Sequence, residues 1–221
     1  MDTSAPATFD GLWLPMITPM RGGYIDCEAA QALARYYRNA GVAGLVLFGS
    51  TGEGNLLSIP EKIEMIEAIR RDPHALPLVF GAGGVDTRGV ATAIRRLDKY
   101  QPAGYLVPPP YYLGPSQQGI LWHYRQIAWA TERPIILYNI PKRTGVTMTV
   151  ETMETLAALP NFTAVKECNP SVLAALNGVD QKKINVIAPA VGTKTALFLQ
   201  RRADAITGVT YFHIPPLEAQ G

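Results

Sequence analysis

The chain is poor in the residues that metal and redox chemistry draw on, with two cysteines, Cys27 and Cys168, and three histidines, His74, His123 and His213, in 221 residues. Two thiols so far apart make neither a CxxC pair, nor a disulfide framework, nor a structural zinc site, and the histidines lack metal-ligand spacing. No metal is expected. Charge of one sign is also missing: 20 Lys plus Arg against 18 Asp plus Glu leave a formal +2, and the basic residues fall in short pairs such as Arg70-Arg71 and Arg95-Arg96. Such pairs read as solvated helix faces, so no nucleic-acid partner is expected. No apolar run approaches the roughly 18 residues of a membrane span, and residues 1–11 carry Asp2 and Asp10 where a leader would be basic and apolar. A cytoplasmic protein that does not enter the membrane is the expectation. Three cofactor and catalytic signatures are absent as well. Thr18-Pro19-Met20-Arg21-Gly22-Gly23 is not a dinucleotide-binding turn, Gly81-Ala82-Gly83-Gly84 lacks the ending of a phosphate loop, and no G-x-S-x-G elbow occurs. No cofactor is expected.

What the chain has is enough apolar residue, 48% against 17% charged, for a full core. One domain over 1–221 is the simplest organisation. Short apolar runs at 12–17, 44–48, 78–80, 104–107, 135–138, 162–165, 185–188 and 205–207 alternate with amphipathic stretches of ten or more residues. That alternation marks βα units on a parallel sheet. Ser58-Ile59-Pro60-Glu61 combines a cap, a first-turn proline and a capping-box glutamate, and predicts a helix start. Ile63, Ile66 and Ile69 then put an apolar stripe on one face, leaving Lys62, Glu64 and Arg70 for water. Helices are predicted likewise over 26–40, 87–99, 116–131, 149–159 and 193–202, with a weaker one over 170–177.

Eight near-continuous apolar strands separated by helices fit an α/β (β/α)8 TIM barrel, whose strands are buried on both faces. The chain ends thirteen residues after Gly208, with Pro215-Pro216-Leu217-Glu218 resembling the first turn of an eighth helix. The expectation is therefore a barrel whose eighth helix is missing or incomplete, with the outward faces of its first and last strands exposed and apolar.

In a parallel barrel the reactive groups sit just past the C-terminal ends of the strands. The sixth run carries Lys166 into that mouth, where desolvation lowers an ammonium pKa and leaves an amine nucleophilic toward carbonyls. Tyr138, at the end of the fifth run, is placed to relay a proton, with Ser50 or Thr51 extending the hydroxyl chain. The glycine-rich backbone of 50–54 can present N–H groups to a carboxylate. Arg143 offers a planar fork to a carboxylate, and Tyr111 and Tyr112 follow three prolines on a rigid loop where an aromatic can stack or reach a neighbouring subunit. Each side chain also has an ordinary structural reading. Lys166 can snorkel or pair with Glu167, Tyr138 can be a rim residue, and Arg143 can be an exposed loop residue.

Gly49-Ser50-Thr51-Gly52-Glu53, Pro110-Tyr111-Tyr112, Tyr138-Asn139-Ile140-Pro141-Lys142-Arg143-Thr144-Gly145 and Val165-Lys166-Glu167 together resemble the dihydrodipicolinate synthase and N-acetylneuraminate lyase family, over roughly residues 9 to 210. The resemblance implies a cofactor-free, class I (lysine Schiff base) lyase or synthase that joins pyruvate to an aldehyde such as aspartate semialdehyde. It implies Lys166 as the Schiff-base lysine and Tyr138 as proton relay, with Ser50 and Tyr112 completing the relay. Tyr112 would come across a dimer interface, which implies a homodimer or homotetramer. Thr51 and the Gly52 backbone would hold the pyruvate carboxylate, and Arg143 the carboxylate of the second substrate. Ser50 stands where the synthases usually carry threonine, while the Arg143 loop is synthase-like, so an aldolase or dehydratase of 2-keto-3-deoxy sugar acids, or of the N-acetylneuraminate type, stays open. The segments 188–192 and 208–212 depart from the family pattern, and its C-terminal helical segment is missing. A catalytically weak paralogue serving as a binding or assembly subunit is the remaining alternative.

Overall fold

The structure, a computed structural model, describes residues 9–176 and the backbone of 185–187. Its first strand, β1 (Trp13–Pro15), is followed by a hairpin of β2 (Met20–Arg21) and β3 (Tyr24–Ile25). Gly22 and Gly23 make the turn with positive φ, the two-glycine connection that tight hairpins favour. From there the chain alternates. Helix α1 (Cys27–Asn39) leads to β4 (Gly44–Leu47), α2 (Ile59–Arg70) to β5 (Leu78–Gly81), and α3 (Thr87–Asp98) to β6 (Gly104–Val107). Then come α4 (Gln117–Ala128), β7 (Ile135–Asn139), a single turn α5 (Pro141–Thr144), α6 (Val150–Ala157), β8 (Phe162–Glu167), α7 (Pro170–Leu176) and β9 (Asn185–Ile187).

Seven of these strands form one parallel sheet in the order β1-β4-β5-β6-β7-β8-β9, each strand beside the next in sequence. That order is the one a (β/α) barrel requires. The expected strand over 205–207, the helix over 193–202, the segments 188–192 and 208–212 and the eighth helix lie outside the described residues. The side chains of the sheet divide by alternation. Leu45, Leu47, Leu78, Phe80, Ile135 and Leu137 join the helices in one large cluster, and Val46, Val79, Leu106, Ile136, Tyr138 and Ala164 meet in a second on the barrel interior. Burial on both faces explains why the strands read as unbroken apolar runs. The first strand does not have the exposed apolar face expected of it, since Trp13 and Leu14 are 7% and 0% exposed, one in each cluster.

The helix starts follow from their caps. Asp26, Ser58, Asp86, Ser116 and Thr149 each accept a first-turn amide, and Ser58 and Glu61 complete the capping box read from sequence. One expectation fails at α2. The buried stripe runs Lys62, Met65, Ile66 and Ile69, the i, i+3, i+4, i+7 set, so Lys62 is buried while Glu64 and Arg70 face water. A spacing of three drifts around a 3.6-residue helix, and Ile63 at the stripe's start is only half-buried.

Candidate active site

Lys166 reaches the barrel interior because of an irregularity. β7 and β8 pair Ile135 with Phe162 but Ile136 with Ala164, so Thr163 is an extra residue in β8. Phe162 belongs to the helix-side cluster. Strict alternation from it would turn Lys166 outward, toward the helices. The bulge at Thr163 reverses the phase, places Ala164 inside, and with it Lys166 two residues on.

The same register makes Tyr138 and Lys166 direct partners across β7 and β8. The Lys166 Nζ lies 4.5 Å from the Tyr138 ring centroid. Lys166 is 7% exposed, and burial lowers its pKa to about 8. The Tyr138 phenol is pushed up to about 12, chiefly by burial; the Cys168 thiol adds to the rise, and hydrogen bonding from Ser50 and the charge of Arg143 oppose it. Ser50, Tyr138 and Arg143 line one cavity of about 450 Å³ at the C-terminal ends of the strands. Lys166 lies behind this lining, against the ring of Tyr138.

Behind Lys166 the next pair in the ladder, Asn139 and Glu167, is fully buried. Asn139 Nδ2 donates to Glu167 Oε2 at 2.7 Å, its Oδ1 accepts from the Met148 amide at 3.0 Å, and Glu167 Oε1 accepts from the Asn169 amide at 2.6 Å. Burial raises the Glu167 carboxyl to about 7. The Lys166-Glu167 ion pair considered from sequence does not form, because adjacent strand residues point to opposite faces.

At the end of β4 the chain turns sharply. Phe48 adopts φ 61°, a conformation that disfavours a bulky side chain, and its carbonyl is packed so closely by Gly54 and Gly81 that a Cβ at either position would lie 2.0 or 2.3 Å from it. Within the turn the amides of Gly52 and Gly54 donate to the Gly49 carbonyl, and that of Glu53 to Ser50. The backbone expected to offer amides to a carboxylate therefore keeps those of Ser50 and Thr51 for the purpose. Thr51 itself is exposed, and Gly52 is buried with its carbonyl accepting from Thr18 Oγ1 at 2.7 Å.

Arg143 was expected in a loop and instead sits in α5, a helical turn that starts at Pro141 and is closed by Gly145 at φ 73°. Tyr111 lines the cavity, while Tyr112 is 91% exposed with φ 72°. The single chain thus brings together Lys166, Tyr138, Ser50 and Arg143, and leaves Thr51 and Tyr112 on the surface.

Sequence reasoning missed three residues here. Cys168 follows Lys166 by two on the inner face, and its free, partly buried thiol neighbours Tyr138. The period of two from Lys166 was signal enough to find it. Asn139 and Glu167 gave no local signal, since their pairing depends on strand register. Among the described residues no helix is long and apolar enough to cross a membrane.

Comparison with known proteins identifies the family. The family model described as "Dihydrodipicolinate synthetase family" matches residues 8–216. Among curated relatives, a 4-hydroxy-tetrahydrodipicolinate synthase of Bifidobacterium longum is 39% identical over 174 residues, 77% of this chain and 56% of that protein. A second such synthase, from Clostridium acetobutylicum, is 37% identical over 72% of this chain and 56% of its own length. The chain therefore spans little more than half the length of the curated relatives it matches. Among solved structures, dihydrodipicolinate synthase from Aquifex aeolicus superposes with a TM-score of 0.81 at 29% identity, covering 91% of this chain and 70% of that one. The Acinetobacter baumannii enzyme, solved in complex with pyruvate, gives 0.80 at 30% identity, covering 92% and 70%. A model match over nearly the whole chain, with relatives above 30% identity, establishes that this protein belongs to the dihydrodipicolinate synthetase family.

Proposed function

We propose that the protein is a class I, Schiff-base-forming enzyme that condenses pyruvate with aspartate semialdehyde, in a single barrel domain over 1–221. The observation that carries the reading is the ladder pair of Tyr138 and Lys166: a buried lysine on the inner face, its pKa lowered to about 8, with a phenol against it.

The chemistry follows from those groups. Neutral Lys166 attacks the pyruvate carbonyl, the carbinolamine loses water, and a protonated imine remains. Tyr138 delivers the proton that lets hydroxide leave as water, and Ser50, which hydrogen-bonds it, hands protons on. The imine acidifies the pyruvate methyl group. Tyr138 takes one of its protons to give an enamine whose carbon attacks the aldehyde, the proton passes to the new alkoxide, and water or the substrate's amine then breaks the imine and frees Lys166. The Ser50 and Thr51 amides hold the pyruvate carboxylate, the Gly52 amide being taken by the Gly49 carbonyl, and the Arg143 fork takes the carboxylate of the aldehyde substrate. No metal or organic cofactor enters these steps.

Tyr112 supports an assembly of at least two chains. It is exposed, its backbone holds a left-handed conformation that costs about 1–2 kcal/mol, and it lies next to Tyr111 at the cavity wall. In a homodimer, or a homotetramer built from dimers, each Tyr112 completes the relay of its neighbour. Two free thiols suit the reducing cytoplasm.

Intact mass after incubation with pyruvate and borohydride tests the reading. One pyruvate-dependent adduct is expected on the wild-type chain and none on Lys166→Ala. An adduct surviving in that variant would assign the chemistry to another amine. Arg143→Ala should still trap pyruvate while its KM for aspartate semialdehyde rises by about one to two orders of magnitude, the loss of a charged, bidentate contact. An unchanged KM would favour a sugar-acid aldehyde in its place.

A further inference from the structure

On the face of β7 and β8 turned away from Lys166, two positions break the apolar pattern. Ile135 and Leu137 of β7 and Val165 of β8 join the helix-side cluster, but the next residues at a period of two are Asn139 and Glu167, each 0% exposed. Apolar side chains there would extend the core. Buried polar groups cost stability unless their hydrogen bonds are met, and once met they fix one geometry.

Their partners show what is being held. Asn139 is the last residue of β7, and the chain returns beside it at Met148 after the turn that carries Arg143. The Asn139 side chain closes that excursion: Oδ1 accepts from the Met148 amide at 3.0 Å, and Nδ2 faces the Met148 carbonyl at 3.5 Å. Glu167, the residue after Lys166, orients the amide group, since its Oε2 accepts from Asn139 Nδ2 at 2.7 Å and its Oε1 from the Asn169 amide at 2.6 Å. Within α5 the amides of Arg143, Thr144 and Gly145 donate to the carbonyls of Ile140 and Pro141, which sets the shape of the turn and not its position. Gln117 ties the Thr147 carbonyl to α4 at 2.9 Å. The Asn139 clamp ties Met148 to the two strands that bear Tyr138 and Lys166.

We propose that Asn139 and Glu167 are positioning residues: the pair sets where the Arg143 turn leaves β7 relative to Lys166, and so which aldehyde carboxylate Arg143 can hold against the imine. Both lie outside the lining of the cavity, so they act through Arg143 and not on the substrate. The inference rests on the condensation proposed above.

The test is a swap at pH 8, above the value of about 7 for Glu167. Glu167→Gln replaces one of two acceptors by a donor; adding Asn139→Asp supplies an acceptor in place of Nδ2 and re-forms the contact with its polarity reversed. In the single variant KM for aspartate semialdehyde should rise about tenfold, the order of effect of misplacing a binding group, with pyruvate trapping by borohydride at the wild-type level. The double variant should return toward wild type. In an Arg143→Ala background Glu167→Gln should raise KM no further, because the group it positions is gone. Hydrogen exchange of residues 140–148 needs no turnover: it should be faster in Glu167→Gln and slowed again by Asn139→Asp. An unchanged KM in Glu167→Gln, a loss of pyruvate trapping as large as the rise in KM, or an effect that adds to that of Arg143→Ala would each overturn the proposal. A wild-type chain that traps no pyruvate would end the condensation reading alone; exchange then decides the clamp, and equal rates in wild type and Glu167→Gln overturn it. Should Glu167→Gln not fold, the double variant decides: a folded chain with wild-type KM is expected, and one that fails to fold as well overturns the pairing.

Discussion

Lys166 carries its chemistry through where it is held. Its pKa of about 8, against 10.5 for an ordinary lysine, means that the neutral amine fraction grows about tenfold per pH unit below 8 and levels above it. Imine formation with pyruvate, quenched with borohydride at fixed times, should follow that curve; a rate flat between pH 6 and 8 would remove the buried amine from the mechanism. Beside it, Glu167 binds a proton more tightly in the folded chain, at about pH 7 against 4.5. Its contribution to stability is whole below about pH 4.5 and is lost as pH rises through 7. Glu167→Gln does not titrate but loses one of two buried acceptors, a cost of about 1–3 kcal/mol. Denaturant unfolding should therefore find the variant more damaging at pH 5 than at pH 8. Lys166 and Tyr138 were legible in the sequence as candidates for nucleophile and relay, because an apolar strand ending in lysine and another ending in tyrosine are local facts. Glu167 and Asn139 were not, because only the ladder brings residues 28 apart in sequence into one hydrogen bond.

At the scale of elements, the Thr163 bulge sets the face on which Lys166 stands. Deleting Thr163 should restore strict alternation from Phe162 and turn Lys166 toward the helices. The expected result is a chain of native helical content that no longer traps pyruvate; undiminished trapping would show that register is set elsewhere. Helices α3 and α4 meet through a partly buried polar contact, His123 Nδ1 to Thr87 Oγ1 at 2.7 Å. Burial lowers His123 to about 4 from 6.5. Its contribution is present above about pH 6.5 and is lost as pH falls toward 4, by on the order of 3 kcal/mol. Comparing acid unfolding of wild type with His123→Phe isolates this loss, and the variant should be the less acid-sensitive of the two. Helix caps were readable because each lies within four residues of what it caps. The buried face of α2 was misjudged because a repeat of three isoleucines outweighed the i, i+3, i+4 geometry that takes Lys62 inside.

For the whole molecule, the placement of Tyr112 makes a prediction that no single chain can satisfy. If each site borrows this tyrosine from a neighbour, Lys166→Ala and Tyr112→Phe are each impaired alone, while a mixture that exchanges chains regains activity. In mixed dimers one site of two receives an intact Lys166 and an intact Tyr112, so random pairing of equal amounts restores about a quarter of wild-type activity. Absence of any recovery after verified exchange would place Tyr112 outside the relay. Among solved relatives one is described as a monomeric dihydrodipicolinate synthase variant, superposing at a TM-score of 0.82, so assembly in this fold is a property to be measured chain by chain.

Sequence by itself determined the class of architecture and the candidate groups of the proposed site. Apolar runs and amphipathic stretches follow from backbone hydrogen bonding and periodicity, which act over a few residues, and the lysine, tyrosine, serine and arginine stand at strand ends that those runs define. Tertiary structure alone decided which of these groups meet. The pairing of Tyr138 with Lys166 depends on one extra residue in β8, and the burial of Lys62 on the phase of α2 against the sheet. Both are outcomes of long-range packing, where a shift of one residue carries a side chain from water or the helix layer to the interior of the barrel.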